Sequence, residues 1–253
     1  MYVDRTVPRN IVIFGQTGAG KSSIINMLAG SPLAKVSGGA SGCTPSSKCY
    51  SVRHGDDIYT LWDTAGLNEA DDGTVSSQAA VQNLLDLVKD HGVNLLVYCI
   101  RERFPNIIRV NYDLFWGIMC RKEVPILLVV TGLEGKDDMD DWWYENQKTI
   151  KKMKMSFDGH ACITSWKGRG NRYEKEYQQS AEEVWKLVRK HCRPNPWSMP
   201  PEWPTLAQRE IKAYEQNYYN GLGERGAEIS AAIVTLFLSL ENCTLTIFSH
   251  SEL

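Results

Sequence analysis

The sequence lacks the features that mark several classes of protein. Its seven cysteines form no C-x-x-C pair and lie at wide, irregular spacings, which argues against a zinc site or a disulfide framework and favours reduced thiols. The formal net charge is only −2, so neither nucleic acid nor an anionic membrane is indicated as a partner. The first ten residues contain no apolar signal-peptide core. We therefore expect a cytoplasmic protein that binds no nucleic acid.

A run of apolar residues long enough to cross a membrane is also lacking. Residues 229–240 read ISAAIVTLFLSL and are followed by Glu241 and Asn242. A membrane-spanning helix needs about 20 apolar residues, so this stretch is too short. We expect a buried helix or strand here, with a peripheral membrane contact or a partner-binding surface as the alternative.

The sequence does contain an alternation of strand-like and helix-like segments over roughly its first 190 residues. Short apolar runs at residues 10–15, 93–100 and 125–131 predict buried strands, and amphipathic patterns between them predict helices. Residues 48–53 and 58–63 alternate around a turn and predict a hairpin. This order predicts an α/β fold: a mostly parallel six-stranded sheet with one antiparallel edge strand, between two layers of helices.

A glycine-rich motif joins the first predicted strand to the first predicted helix. Gly15, Gly20, Lys21 and Ser22 match every fixed position of G-x-x-x-x-G-K-[ST], the phosphate loop of the P-loop NTPase three-layer sandwich. The glycines let backbone N–H groups approach a phosphate, Lys21 neutralises the β- and γ-phosphates, and the Ser22 hydroxyl is a Mg²⁺ ligand. The predicted phosphate-binding residues are Gly15, Gln16, Thr17, Gly18, Ala19, Gly20, Lys21, Ser22 and Ser23.

A second motif, DTAG, follows the predicted hairpin. An aspartate at this place, Asp63, is expected to hold Mg²⁺ through a water molecule. The N–H of Gly66 is expected to contact the γ-phosphate and so to sense whether GTP or GDP is bound. Either motif by itself is weaker evidence than the two together.

The segment between the two motifs is rich in glycine and serine. Thr44 is our candidate in this segment for a switch threonine that closes on Mg²⁺ and the γ-phosphate. Ser41 and Ser46 are the alternatives, and Thr44 is otherwise an ordinary turn threonine before Pro45.

A carboxylate after a buried strand is expected to read the base. GTPases carry this acid in an [NT]-K-x-D motif, and residues 131–134 read TGLE. Thr131 and Glu134 lie at the matching offsets, whereas Gly132 stands where the motif has lysine. Glu134 is therefore the predicted guanine-reading acid, and Asp138 is the alternative.

A later strand end supplies the last base-side residues. Ser165 is expected to contact guanine O6 through its N–H group, and Trp166 is expected to stack on the base. The competing interpretation of Trp166 is an ordinary core or surface aromatic residue.

The order GQTGAGKSS, Thr44, DTAGL, TGLE and TSW resembles the TRAFAC class of small GTPases, and the resemblance covers residues 10 to about 190. Within this class the chain is similar to the immunity-associated nucleotide-binding proteins, the septins, the chloroplast-envelope Toc GTPases and uncharacterised fungal G domain-containing proteins. The resemblance implies that the protein binds GTP and GDP with Mg²⁺ and hydrolyses GTP to GDP and phosphate. It also implies a pairing of two G domains across the nucleotide face, which makes a homodimer a predicted partner.

Hydrolysis is expected to be slow because Leu67 follows DTAG where Ras-like enzymes have a water-orienting glutamine. Arg101 and Arg103 follow a buried strand and are candidates to reach a partner's nucleotide, although a solvated charged turn is the alternative. The predicted catalytic residues are Lys21, Thr44, Gly66, Arg101 and Arg103. A GTP-dependent scaffold with little hydrolysis and, less favoured, an ATP-binding P-loop protein are the other functions considered.

The composition predicts three parts. Residues 1–192 form the predicted GTP-binding domain, and residues 206–253 form a helical and apolar extension whose role the sequence does not indicate. Between them, residues 193–205 contain five of the ten prolines and form a linker or a strap. Trp197 and Trp203 favour a strap that packs on the domain.

Overall fold

The structure is a computed structural model that describes residues 7–16, 18–33, 48–64, 85–103, 108–203, 206, 207 and 209. Its strands are β1 (Arg9–Gly15), β2 (Lys48–His54), β3 (Asp57–Asp63), β4 (Leu95–Arg101), β5 (Ile126–Thr131) and β6 (Gly159–Cys162). They form one sheet in the order β2-β3-β1-β4-β5-β6. The edge strand β2 is antiparallel to β3, and the other neighbouring pairs are parallel. The predicted sheet is confirmed.

Helices connect the strands as the alternation predicts. They are α1 (Lys21–Ala29), α2 (Ile108–Tyr112), α3 (Asp141–Lys152) and α4 (Glu174–His191), and residues 85–91 are also helical. The amphipathic pattern before β5 predicts one α-helix, whereas the structure has α2 continuing as a π-helix over Asp113–Met119. The wider π-helical turn ends at Cys120, whose N–H donates to the carbonyl oxygen of Phe115.

The sheet is apolar on both faces because each face is covered by helices. Along β1, Ile11 and Ile13 pack with side chains of α1 and α4. The alternate residues Val12 and Phe14 pack with the helical segment 85–91, α2 and α3. This two-sided burial is why the strands read as continuous apolar runs, and it makes the fold a three-layer α/β/α sandwich.

The described part of the proline-rich segment lies against this domain. Val93 and Trp197 form an antiparallel bridge, with N–H···O distances of 2.9 and 2.8 Å. Trp203 is 1% exposed, and its indole N–H donates to the carbonyl oxygen of Met119 at 2.8 Å. These contacts are what a packed strap requires, although the boundaries at residues 192 and 205 stay predictions.

Replacing Trp203 with alanine is expected to lower the free energy of unfolding by about 3–5 kcal/mol. The substitution leaves a cavity beside Met119 and removes the indole hydrogen bond. Trp166→Ala is the matched control, because Trp166 is 53% exposed and its loss opens no cavity in the core. Urea unfolding of both variants without nucleotide measures the difference, and equal losses would mean that Trp203 does not anchor the segment.

The described cysteines differ in burial and in whether they form a disulfide. Cys99, Cys120, Cys162 and Cys192 are buried free thiols. Cys49 is disulfide-bonded, so the prediction of reduced thiols is wrong for this residue. Cys49 lies on the edge strand β2 and is only half-buried, whereas the four free cysteines are buried. Among the residues that the structure describes, no helix is long and apolar enough to span a membrane, and residues 229–240 lie outside them.

Candidate functional site

The glycine-rich motif forms a tight loop between β1 and α1. Gly15 has φ +149°, and a Cβ atom there would lie 2.2 Å from the carbonyl oxygen of Cys99 on β4. Gly20 has φ +90° and directly precedes the helix. Within the loop the N–H of Ala19 donates to the carbonyl oxygen of Gln16 at 3.1 Å. The loop therefore needs glycine at both of its fixed positions, once for space and once for a left-handed conformation.

The start of α1 is built to receive an anion. Gly20 offers no side chain to cap the first N–H groups of the helix, and the first turn contains no acidic residue. Uncapped N–H groups and the positive end of the helix dipole both favour a bound phosphate. Lys21 opens the helix and is only 8% exposed. Its ammonium group donates to the carbonyl oxygens of Gly15 and Gln16, both at 3.0 Å, so the loop wraps around its own cation.

Next to this cation, α1 and β3 bring together two oxygen ligands. The hydroxyl of Ser22 donates to the Asp63 carboxylate at 2.6 Å. Asp63 ends β3, and because Ile13 pairs with Asp63 in the parallel register of β1 and β3, the two motifs meet at one edge of the sheet. A hydroxyl and a carboxylate are ligands that suit Mg²⁺, so the residues present fit this ion. When bound, Mg²⁺ would neutralise charge on the phosphates.

The environment of Asp63 combines burial with positive charge. Burial raises the pKa of its carboxyl group, while the hydrogen bond from Ser22 and the charges of Lys21 and Lys48 act in the opposite direction. The next residue, Thr64, is buried and donates through its hydroxyl to the carbonyl oxygen of Ile13 at 2.9 Å. Thr64 thus fixes the start of the DTAG motif to β1.

On the other side of the phosphate loop, two strand ends meet Gly20. The hydroxyl of Thr131 donates to the carbonyl oxygen of Ala19 at 2.9 Å. A Cβ atom at Gly20 would lie 3.2 Å from the Thr131 side chain and 3.4 Å from the Ser165 hydroxyl. Thr131, which is predicted to bind nucleotide, is therefore bonded to the phosphate loop itself. This contact depends on how the strands are arranged in the sheet, so the sequence does not reveal it.

The predicted base-reading acid lies beside the last base-side segment. The Thr164 hydroxyl is 3.3 Å from the Glu134 carboxylate and 2.9 Å from the carbonyl oxygen of Trp166. Thr164 is fully buried and links the segment of Glu134 to that of Trp166. No motif in the sequence indicates this contact. Asp138, the alternative acid, accepts a hydrogen bond from the N–H of Asp140 at 2.9 Å just before α3. Because each of the two acids accepts one hydrogen bond, the choice of Glu134 over Asp138 stays a prediction.

The remaining predicted residues divide into two groups. Arg101, Arg103 and Trp166 are exposed at the carboxyl ends of the strands, the edge that also carries Lys21 and Asp63. Gly18 and Ser23 are exposed next to the phosphate loop and the start of α1. Thr17, Thr44 and Gly66 lie outside the described residues, so their predicted roles stay predictions.

Comparison with known proteins agrees with this geometry. A family model described as "50S ribosome-binding GTPase" matches residues 10–131. GTPase Der from Bartonella bacilliformis is 31% identical over 127 residues, which is 50% of this chain and 25% of Der. Residues 10–131 are therefore similar to a GTPase domain. The matched region spans only a quarter of the length of Der.

Solved structures of GTPases are also similar to this chain, and the fold of Era agrees with the sheet described above. Era from Aquifex aeolicus, bound to GDP and AlF₄⁻, is 16% identical with a TM-score of 0.54, covering 76% of this chain and 59% of Era. Era has also been solved with MgGDPNP and a segment of 16S ribosomal RNA, at the same identity and TM-score, covering 77% and 59%. Toc33 from Arabidopsis thaliana, with Mg²⁺ and GMPPNP, is 19% identical with a TM-score of 0.48, covering 74% and 86%. At 16% identity the likeness to Era shows the fold and nothing further.

Proposed function

We propose that the protein binds GTP and GDP together with Mg²⁺ and hydrolyses GTP slowly, as a nucleotide-controlled switch. The observation that carries this proposal is the meeting of three elements around Gly20. The cation of Lys21, the oxygen pair of Ser22 and Asp63, and the base-side strand ends all lie at one edge of the sheet. A cation, two oxygen ligands suited to Mg²⁺ and a carboxylate at one edge support the binding of a nucleoside triphosphate.

Hydrolysis is proposed to depend on a second copy of the GTPase domain. Leu67 carries no group that orients water, so one chain lacks a residue that Ras-like enzymes use. Arg103 is exposed at the nucleotide edge, and a two-fold pairing of two such edges would bring it to the partner's nucleotide. An arginine supplied in this way stabilises the charge that develops in the transition state.

A GTP-dependent scaffold is the second candidate, and Leu67 is the observation that favours it. Such a protein would bind GTP with similar affinity and turn it over very little. Single-turnover hydrolysis at rising protein concentration separates the two functions, because only the switch gains a higher specific rate as dimers form.

Replacing Glu134 with alanine tests whether this acid reads guanine. The variant is expected to bind GTP about 1.5–3 kcal/mol more weakly, which is about 10- to 150-fold. ITP lacks the N2 amine that would donate a hydrogen bond to the carboxylate. The affinity of the variant for ITP is therefore expected to fall much less. Competition against a fluorescent GTP analogue measures both affinities.

The matched control for this experiment is Asp138→Ala, which removes the alternative acid. Its affinities for GTP and ITP are expected to equal those of the wild type, because Glu134 is the acid proposed to read guanine. A loss confined to Asp138→Ala, or equal losses of GTP and ITP in Glu134→Ala, would assign base reading to another residue.

A further inference from the structure

The side chain of Arg101 lies against a glycine of the base-side motif. Arg101 is the last residue of β4 and pairs with Thr131 in the register of β4 and β5. Gly132 follows Thr131 with φ +83°, a left-handed conformation that favours glycine. A Cβ atom at Gly132 would lie 3.2 Å from both Cγ and Nε of Arg101. Arg101 therefore occupies the space into which a side chain at position 132 would point.

The cation of Arg101 remains available to a ligand. Arg101 is exposed, and it makes no side-chain hydrogen bond or ion pair with any residue that the structure describes. An arginine held in place only by its aliphatic stem presents its guanidinium to whatever enters the site. This arrangement differs from that of Arg109, which is paired with Asp113 at 2.5 Å.

The neighbours of Arg101 place it beside the expected position of the purine. Thr131, its register partner, is bonded to the phosphate loop at Ala19. Glu134, the proposed base-reading acid, comes two residues after Gly132. The segment under the arginine side chain thus joins the loop that holds the phosphates to the acid that holds the edge of the base.

We propose that Arg101 stacks its guanidinium on the purine ring of the nucleotide bound in its own chain. A planar guanidinium is suited to lie on an aromatic face, and a purine offers such a face. Stacking does not read the edge of the base, so Arg101 strengthens the binding of purine nucleotides in general and leaves guanine selectivity to Glu134. This inference rests on the proposed function, and it gives the two exposed arginines separate tasks, with Arg103 left to act across a dimer.

The test compares Arg101→Ala with Arg53→Ala, which removes an exposed arginine on β2 away from this edge, at protein concentrations low enough to keep the chain monomeric. Arg101→Ala is expected to bind GTP and ITP between about 3- and 30-fold more weakly, by the same factor for both. Its affinity for inorganic tripolyphosphate, which has no base, is expected to be unchanged. Arg101→Lys retains the charge without the plane and is expected to recover only part of the loss. Thermal unfolding checks that each variant is folded.

The outcomes distinguish this inference from the proposed function. Unchanged GTP affinity in Arg101→Ala, or an equal loss of tripolyphosphate, would overturn the stacking role while leaving GTP binding intact. A wild-type protein that binds none of the purine nucleotides would overturn the proposed function and this inference with it. A loss of the same size in Arg53→Ala would show that removing any exposed positive charge weakens binding, and would likewise overturn the stacking role.

Discussion

Replacing Lys21 with alanine is expected to lower the affinity for GTP and GDP by about 10²- to 10⁴-fold. The ammonium group lies inside the phosphate loop, 3.0 Å from the carbonyl oxygens of Gly15 and Gln16, and is held ready for a phosphate. The ammonium group is expected to donate one hydrogen bond to each of the β- and γ-phosphates. A hydrogen bond to a charged group is worth about 1.5–3 kcal/mol, so the loss of both gives this range. Burial of the lysine strengthens the interaction, because fewer water molecules screen its charge.

A fluorescent GTP analogue measures this loss in a direct titration. Lys186→Ala is the matched control, since Lys186 is an exposed lysine on α4 that pairs with Glu183. Ser22→Asn is a second variant in the same loop, and it is expected to weaken binding mainly in the presence of Mg²⁺, because it changes the hydroxyl that faces Asp63. Wild-type affinity in both loop variants would mean that nucleotide binds elsewhere.

Arg103→Ala is expected to lower the specific rate of GTP hydrolysis by about 10³-fold or more at concentrations where the wild type is dimeric. The affinity for GTP is expected to stay nearly unchanged, because the contact would form mainly in the transition state. The rate of the wild type should rise with protein concentration and level off once dimers dominate. Single-turnover hydrolysis over a wide range of protein concentrations measures this dependence.

Arg53→Ala provides the control for the hydrolysis experiment. Arg53 is an exposed arginine on β2 that pairs with Ile58 near the start of β3, at the opposite end of that strand from Asp63. Its removal is expected to leave both the rate and its concentration dependence unchanged. A measurable rate that depends on neither concentration nor Arg103 would contradict the dimer mechanism, and the absence of turnover at every concentration would favour the scaffold.

Local sequence was enough to predict the fold and the phosphate loop. The pattern G-x-x-x-x-G-K-[ST] needs particular residue types at four of eight consecutive positions, and its conformation follows from the glycines and the helix start. The sheet could be predicted because three of its inner strands, β1, β4 and β5, are buried on both faces and therefore read as apolar runs. The DTAG motif could likewise be placed at a strand end, and Asp63 does end β3.

Contacts between distant parts of the chain could not be predicted. Thr164 meets Glu134 only because β6 lies next to β5. Arg101 covers Gly132 only because of the register between β4 and β5. A sequence shows neither the order of strands in a sheet nor their register, so the position of an arginine after a strand does not reveal this contact. The packing of Trp203 on Met119 is hidden for the same reason.

The central claim, that this P-loop domain selects guanine nucleotides, is tested most directly by competition on the wild-type protein. A fluorescent GTP analogue bound in the presence of Mg²⁺ is displaced in separate titrations by GTP, GDP and ATP. GTP and GDP are expected to displace it at similar concentrations, and ATP only at concentrations at least about tenfold higher, a difference of about 1.4 kcal/mol. Displacement by ATP at the same concentration as GTP, or no binding of the analogue at all, would contradict the account.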